Sequence, residues 1–143
     1  MNIAVDFDGT CVTHEFPRVG KDIGAQRVLR KLIDNGHNFF LWTMRSNSQE
    51  KFETDVLEDA VNWFKTNEIP LIGVNANPGQ ETWTKSPKIY APLYIDDAAL
   101  GCPLKFDPAI SKRPFVDWGK AELMLIEMGL IKLDAPINNI PAD

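Results

Sequence analysis

The alternation of short apolar runs with helical patterns is the feature that most restricts the fold of this chain. Uninterrupted apolar runs are typical of strands buried on both faces, and apolar residues spaced by three and four are typical of a helix face. Predicted strands occupy residues 3–5, 39–42, 69–74 and 93–95, with helical patterns between the first three. This alternation predicts one α/β domain, a parallel sheet with helices on both faces.

Three segments carry the helical pattern. Apolar residues recur at helical spacing over residues 25–33 and 52–64, and Asn47 and Glu50 are placed like an N-cap and its reciprocal partner for the second segment. A last helix is expected over residues 115–128, with apolar residues on most of its circumference, so that it should be well buried. The segment 75–92 is rich in Asn, Pro, Gly and Thr and is expected to be a loop, and a further short strand fits within residues 101–114.

Composition excludes several classes of protein. The 143 residues carry a net charge of −5, which offers no basic footprint for nucleic acid or an anionic membrane. The first apolar run is too short for a secretory signal, and no run approaches the roughly 20 apolar residues of a membrane span. Cys11 and Cys102 show neither metal-ligand spacing nor a disulfide framework. We therefore expect a cytoplasmic protein without nucleic-acid or membrane partners. Whether the chain forms a homo-oligomer stays an open question.

Polar side chains follow three of the predicted strands at the points where the strands end. Residues 6–10 (D-F-D-G-T) follow the first strand, residues 43–46 (T-M-R-S) the second, and Asp96 and Asp97 the fourth. The third strand offers Asn75 and Asn77. In open α/β sheets, ligands bind beyond the carboxyl ends of the strands. The sequence therefore predicts one polar site at this edge of the sheet.

Carboxylates gathered at one site favour metal-assisted phosphate chemistry. Because clustered carboxylates repel one another, their pKa values rise or they require a cation, and a set of oxygen ligands suits Mg²⁺. One aspartate of the first motif can then be a nucleophile and the other an acid and base. The hydroxyl of Thr43 and nearby N–H groups could hold phosphate, and Lys85 or Lys88 could complete the charge balance.

The motifs resemble those of the haloacid dehalogenase superfamily, whose commonest members are Mg²⁺-dependent phosphatases. D-F-D-G-T after an N-terminal strand resembles the first motif, Leu41-Trp42-Thr43 the second, and Tyr94-Ile95-Asp96-Asp97 the fourth. The order and intervals match over a core from about residue 3 to residue 101. The resemblance implies a Rossmann-like three-layer domain over residues 1–143. The short intervals leave no room for a cap domain, so the site should be open unless residues 11–21, residues 75–84 or another subunit covers it.

Roles carried over from the resemblance make Asp6 the nucleophile and Asp8 the acid and base, with the backbone carbonyl of Asp8 also on Mg²⁺. Thr43 would bind the phosphoryl oxygens, and the motif lysine would be Lys88 in preference to Lys85. One acid of the last pair would hold the metal directly and the other through water or the lysine, in either order. The implied metal ligands are Asp6, Asp8, Asp96 and Asp97, and weaker phosphate or substrate contacts are Gly9, Thr10, Met44 and Arg45.

The expected activity is Mg²⁺-dependent hydrolysis of a phosphomonoester through an aspartyl-phosphate on Asp6, with the identity of the phosphorylated substrate left open. The alternative is a catalytically weak module of the same fold that binds metal and phosphate or has a regulatory role. Dehalogenation ranks below both, because it would need neither the metal acids nor Asp8. His14 is expected to be a surface or turn residue.

Overall fold

A four-stranded parallel sheet forms the centre of the protein in a computed structural model, which describes residues 1–47 and 52–133. The strands are β1 Asn2–Val5, β2 Asn38–Leu41, β3 Leu71–Val74 and β4 Leu93–Ile95, and they agree with the predicted positions to within two residues at either end. They run in the order β3–β2–β1–β4, so that the N-terminal strand lies inside the sheet.

The register of the strands brings the predicted motifs to one edge. Val5 at the end of β1 is level with Leu41 of β2 and with Ile95 of β4. Because all three strands are parallel, the residues that follow them leave the sheet at the same edge. The segments that begin at Asp6, Trp42 and Asp96 therefore start side by side.

Within the described residues, three helices accompany the sheet, and their bounds are α1 Ala25–Asp34, α2 Val56–Thr66 and α3 Trp118–Glu127. The second helix begins later than predicted, because Asp55 caps it by accepting hydrogen bonds from the N–H groups of Leu57 and Glu58, both at 3.2 Å. The expectation that Asn47 caps this helix is therefore wrong, and its expected partner Glu50 lies outside the described residues.

The helices do not cover both faces of the sheet. Side chains alternate along a strand. Ile3 and Val5 belong to a core that includes residues of all three helices, whereas Ala4 and Phe40 pack with Ile89 and other residues outside them. The second face is covered by the segment 75–92, whose one regular element in this structure is a 3₁₀ turn over Gln80–Thr82. Prolines and glycine in this segment disfavour a longer helix. The three-layer prediction of helices on both faces is thus wrong for the described residues, while the Rossmann-like parallel sheet is confirmed.

The last helix is less buried than predicted. It starts at Trp118 because Asp117 caps it by accepting the N–H of Lys120 at 3.1 Å. Trp118 and Leu125 are buried, but the side chain of Leu123 is 64% exposed. A short antiparallel pair precedes it, β5 Leu104–Lys105 with β6 Phe115–Val116. In the part of the chain that the structure describes, every helix is too short or too polar to cross a membrane.

Candidate functional site

Three aspartates meet at the carboxyl ends of β1 and β4. Oxygen atoms of the Asp6, Asp96 and Asp97 side chains all lie within 4.8 Å of one another, which we call the acid cluster. The pairing of β1 with β4 continues past Val5, since the N–H of Asp6 donates to the carbonyl of Ile95 at 3.0 Å. Neighbouring parallel strands thus bring together carboxylates that are 90 residues apart in the sequence.

The electrostatics of the cluster favour a cation. The pKa of Asp6 is raised from its ordinary value of 3.8 to about 8, first by burial and then by the nearby charge of Asp96. A carboxyl group with this pKa needs either a proton or a positive partner at neutral pH. Three carboxylates that offer only oxygen atoms fit a hard divalent ion such as Mg²⁺.

Thr10 joins the members of the acid cluster. Its hydroxyl, which is fully buried, has one hydrogen to donate and has two acceptors in reach, Asp6 Oδ2 at 2.9 Å and Asp97 Oδ1 at 3.2 Å. The N–H of Asp97 donates back to Thr10 Oγ1 at 3.0 Å, and the Trp118 indole N–H donates to the carbonyl of Thr10 at 2.8 Å. Thr10 was predicted as a phosphate contact, but these bonds give it the position of a residue that orients the aspartates.

The side chain of Asp8 faces away from this cluster toward Arg45. Arg45 Nε donates to Asp8 Oδ2 and Nη2 donates to Oδ1, both at 2.8 Å. The pair is a bidentate ion pair, the strongest geometry that these two groups form. The structure therefore brings together the side chains of three predicted metal ligands, whereas the side chain of Asp8 pairs with Arg45. Binding of the metal by the backbone carbonyl of Asp8 stays a prediction.

Arg45 has no donor left for a substrate. Its Nη1 also donates to the carbonyls of Val56 at 2.9 Å and Pro17 at 3.3 Å, and Nη2 donates to the carbonyl of Arg18 at 2.8 Å. All five N–H groups of the guanidinium are thus used inside the protein, and the side chain is 1% exposed. The prediction that Arg45 grips the substrate does not fit this geometry. Instead, Arg45 holds Asp8 and the segment 11–21 together.

Thr43 and its neighbours form a turn and not the start of a helix. The N–H of Thr43 donates to Asn75 Oδ1 at 2.8 Å, and Thr43 Oγ1 accepts the N–H of Arg45 at 3.1 Å. The Asn75 amide also donates to the carbonyl of Arg45 at 3.2 Å. Among the described residues, the next helix after Thr43 is α2, which begins only at Val56, so the N-terminus of α2 is not at Thr43. Within the described ranges, the hydroxyl of Thr43 donates to no protein acceptor, whereas the side chain of Met44 is 98% exposed to solvent.

Neither candidate lysine makes an ion pair with the acid cluster. Lys88 Nζ lies 5.4 Å from the centroid of the Tyr94 ring, on the face of the sheet that residues 75–92 cover. Among residues 1–47 and 52–133, no carboxylate oxygen lies within 4.0 Å of Lys85 or Lys88. The choice between the two lysines stays a prediction.

His14 belongs to the site, although the sequence pattern placed it at the surface. Its Nε2 lies 2.8 Å from Asp97 Oδ2, and its side chain is 13% exposed. A tight turn after β1, in which the N–H of Gly9 donates to the carbonyl of Val12 at 2.8 Å, sends the chain back along the acid cluster. No local pattern signals this contact, because a turn and a distant strand end together produce it.

Cys11 lies beside the cluster as a thiol. Its Sγ donates to the carbonyl of Asp6 at 3.3 Å. Burial, followed by the charges of Asp6 and Asp8, raises the pKa of this thiol well above its ordinary value. A thiol held in this form is a poor nucleophile, so Asp6 is the better candidate for attack.

Position 9 requires a glycine, both because of its backbone angle and because neighbouring side chains leave no room for a Cβ atom. Its φ is +81°, and a methyl group there would overlap the His14 ring and lie 2.6 Å from Asp97 Oδ2. We therefore expect Gly9→Ala to lower the free energy of unfolding by about 1–3 kcal/mol and to weaken Mg²⁺ binding. Chemical denaturation and calorimetric Mg²⁺ titration measure the two effects. Gly36→Ala is the control, because its φ is +86° but a methyl group would meet open space. Equal metal affinity in both variants would contradict the crowding argument.

Comparison with known proteins gives one informative match. A scan against protein-family models finds no match, and a search of curated proteins finds none. A solved structure of a conserved protein from Bacteroides thetaiotaomicron is 32% identical to this chain, with a TM-score of 0.68. The alignment covers 90% of this chain and 91% of that one. The chain therefore belongs to the same family as this conserved Bacteroides protein.

Proposed function

We propose that the protein is a Mg²⁺-dependent phosphomonoester hydrolase of the haloacid dehalogenase type. The observation that carries the proposal is the acid cluster, in which the aspartate of the D-x-D motif meets the two aspartates at the end of β4. The raised pKa of Asp6 supports it, since a bound cation would keep this carboxylate ionised at neutral pH. Asp6, Asp96 and Asp97 would hold Mg²⁺, which neutralises phosphate oxygens when it is bound.

Asp6 is the nucleophile of the proposed reaction. One of its carboxylate oxygens forms a bond to phosphorus while the bond between phosphorus and the leaving oxygen breaks, and the leaving oxygen takes up a proton. Water then attacks the phosphorus of the aspartyl-phosphate, which releases phosphate and regenerates Asp6. Thr10 orients Asp6 throughout, because it holds Oδ2 at 2.9 Å. The hydroxyl of Thr43 lies beyond the adjacent strand end and is the donor for a phosphoryl oxygen.

Asp8 supplies and removes the protons in this proposal. Both oxygens of Asp8 accept hydrogen bonds from Arg45, and the carboxylate form of Asp8 would accept the proton of the attacking water. Donating a proton to the leaving oxygen needs the protonated form. The proton that Asp8 takes from the attacking water would be the one that it donates to the leaving oxygen in the next turnover, with the protonated oxygen released from Arg45.

A second candidate is a module that binds metal and phosphate with little catalysis. The observation that favours it is the same bidentate contact, because an aspartate held by a buried arginine is poorly placed to donate a proton. The two candidates agree on Mg²⁺ binding and differ in turnover, so activity separates them.

The test is a Mg²⁺-dependent screen of phosphorylated metabolites and a generic aryl phosphate, with the Asp6→Asn protein as the blank. We expect wild-type turnover that EDTA abolishes and that Asp6→Asn reduces by about 10³-fold or more, because the nucleophile is lost. Asp34→Asn makes the same chemical change at the exposed end of α1 and should keep full activity. Turnover by Asp6→Asn at the wild-type rate would contradict the proposed mechanism. Mg²⁺ binding by the wild type without turnover of any substrate would favour the binding module.

A further inference from the structure

A polar cleft opens directly beside the acid cluster. It has a volume of about 340 Å³ and lies between the segment after the D-x-D motif and the loop that precedes β6. We call it the lysine cleft, and its polar lining residues are His14, Glu15, Lys21, Ser111 and Lys112. Its volume is in the range of small-molecule sites.

His14 connects the lysine cleft to the acid cluster. The imidazole lines the cleft, and its Nε2 lies 2.8 Å from Asp97 Oδ2. A molecule with one end at Asp6 and the other in the cleft would therefore pass along His14. The position of the cleft makes it suitable for a part of the substrate that is not transferred.

The charges of the cleft favour an anion. Lys21 and Lys112 both line it, and Lys21 Nζ is held in place because it donates to the carbonyl of Ile110 at 2.7 Å. This bond uses one of the three ammonium hydrogens. The one carboxylate in the lining, Glu15, has a cationic neighbour of its own, since its Oε2 lies 3.8 Å from Arg18 Nη2.

The loop that carries Lys112 is held by hydrogen bonds of the Ser111 backbone and side chain. The N–H of Ser111 donates to the carbonyl of Asp107 at 3.0 Å, and Ser111 Oγ accepts the N–H of Arg113 at 3.2 Å. Ser111 itself is buried. Anchors on either side of Lys112 limit the freedom that this loop would lose when it binds a ligand, which favours affinity.

We propose that the lysine cleft binds a second anionic group of the substrate. This inference rests on the proposed phosphatase activity and specifies its substrate class: phosphomonoesters that carry a further carboxylate or phosphate. The transferred phosphate lies at the acid cluster, and Lys21 and Lys112 bind the second anion through charge-assisted hydrogen bonds. Neutral alkyl and aryl phosphates would use the acid cluster alone.

The experiment compares two series of ligands that differ only at the far end. One series is carboxyalkyl phosphates with two to six carbons, and the other is alkyl phosphates of the same lengths. For each ligand, calorimetry measures the affinity for the Asp6→Asn protein in the presence of Mg²⁺. The value of kcat/KM is measured with the wild type. At the best length we expect the carboxylate to improve affinity and kcat/KM by about tenfold or more, as hydrogen bonds to charged groups do.

The variants locate this preference. Lys21→Gln/Lys112→Gln should abolish it and leave the alkyl phosphates unchanged, and Lys112→Gln alone should remove part of it. Lys65→Gln/Lys120→Gln changes the net charge equally on α2 and α3 and should retain it. The proposal is overturned if no length shows a preference, if the cleft variant keeps it, or if the control loses it equally. If binding shows the lysine-dependent preference while nothing is hydrolysed, the phosphatase activity fails and the anion site stands.

Discussion

Arg45→Met is expected to lower the free energy of unfolding by about 3–5 kcal/mol, the usual cost of removing one partner from a buried ion pair. The variant leaves the Asp8 carboxylate without its cation and the carbonyls of Pro17, Arg18 and Val56 without their donor. Methionine retains much of the apolar volume, so the loss reflects electrostatics and hydrogen bonds more than a cavity. For a domain of this size, the melting temperature should fall by roughly 10 °C or more.

Denaturant unfolding of matched variants measures this effect. Arg27→Met removes a pair with Glu122 in which Arg27 is 54% exposed, and it should cost at most about 1 kcal/mol. Arg45→Met/Asp8→Asn should recover part of the loss, because the second change removes the unpaired charge. If Arg45→Met is as stable as the wild type, Arg45 does not hold the segment 11–21 on the site.

Asp6→Asn is expected to stabilise the metal-free protein at pH 8 while it abolishes turnover. The pKa of Asp6 is about 8 in the folded protein against 3.8 ordinarily, mainly because of burial and then because of Asp96. Between these values the folded state binds the proton that the unfolded state has released. The stability from this group is therefore complete below about pH 4 and is lost progressively as the pH rises from about 4 through 8. Asparagine does not titrate, so the gain at pH 8 should be on the order of a few kcal/mol.

Unfolding in EDTA between pH 4 and 9 measures the difference between the two proteins. The difference should be small at pH 4 and should grow up to about pH 8, whereas Asp34→Asn should follow the wild type throughout. Mg²⁺ should reverse the order at pH 8, because the cation binds the folded wild type and raises its stability with concentration. A difference that does not vary with pH would show that Asp6 has no raised pKa in the folded protein.

The strands were predictable because buried parallel strands leave a direct mark on the sequence. Runs such as Phe39–Leu41 and Leu93–Ile95 are apolar on both faces, and they appear in the structure within two residues of the prediction. Helix boundaries were harder, as the late start of α2 at Val56 shows. Several residues can cap a helix, and the local sequence does not state which one folds against the core.

The layers of the fold could not be predicted in full. The sequence marks residues 75–92 as a loop, but only the packing of Ile89 and Ala91 with Ala4 and Phe40 shows that this loop covers the second face of the sheet. The exposure of Leu123 has the same origin. An apolar residue reports that burial would be favourable, whereas the path of the neighbouring segments decides whether anything covers it.

The sequence by itself determined the parallel sheet, the edge at which the aspartates gather, and the identity of those aspartates, because buried strands and the residues that follow them are local patterns. Only the tertiary structure decided the partners of these side chains. In the folded protein His14 contacts Asp97, and Thr10 links Asp6 to Asp97. Asp8 forms an ion pair with the buried Arg45. Such contacts join residues separated by up to 87 positions, and they depend on directions in space that no local pattern encodes.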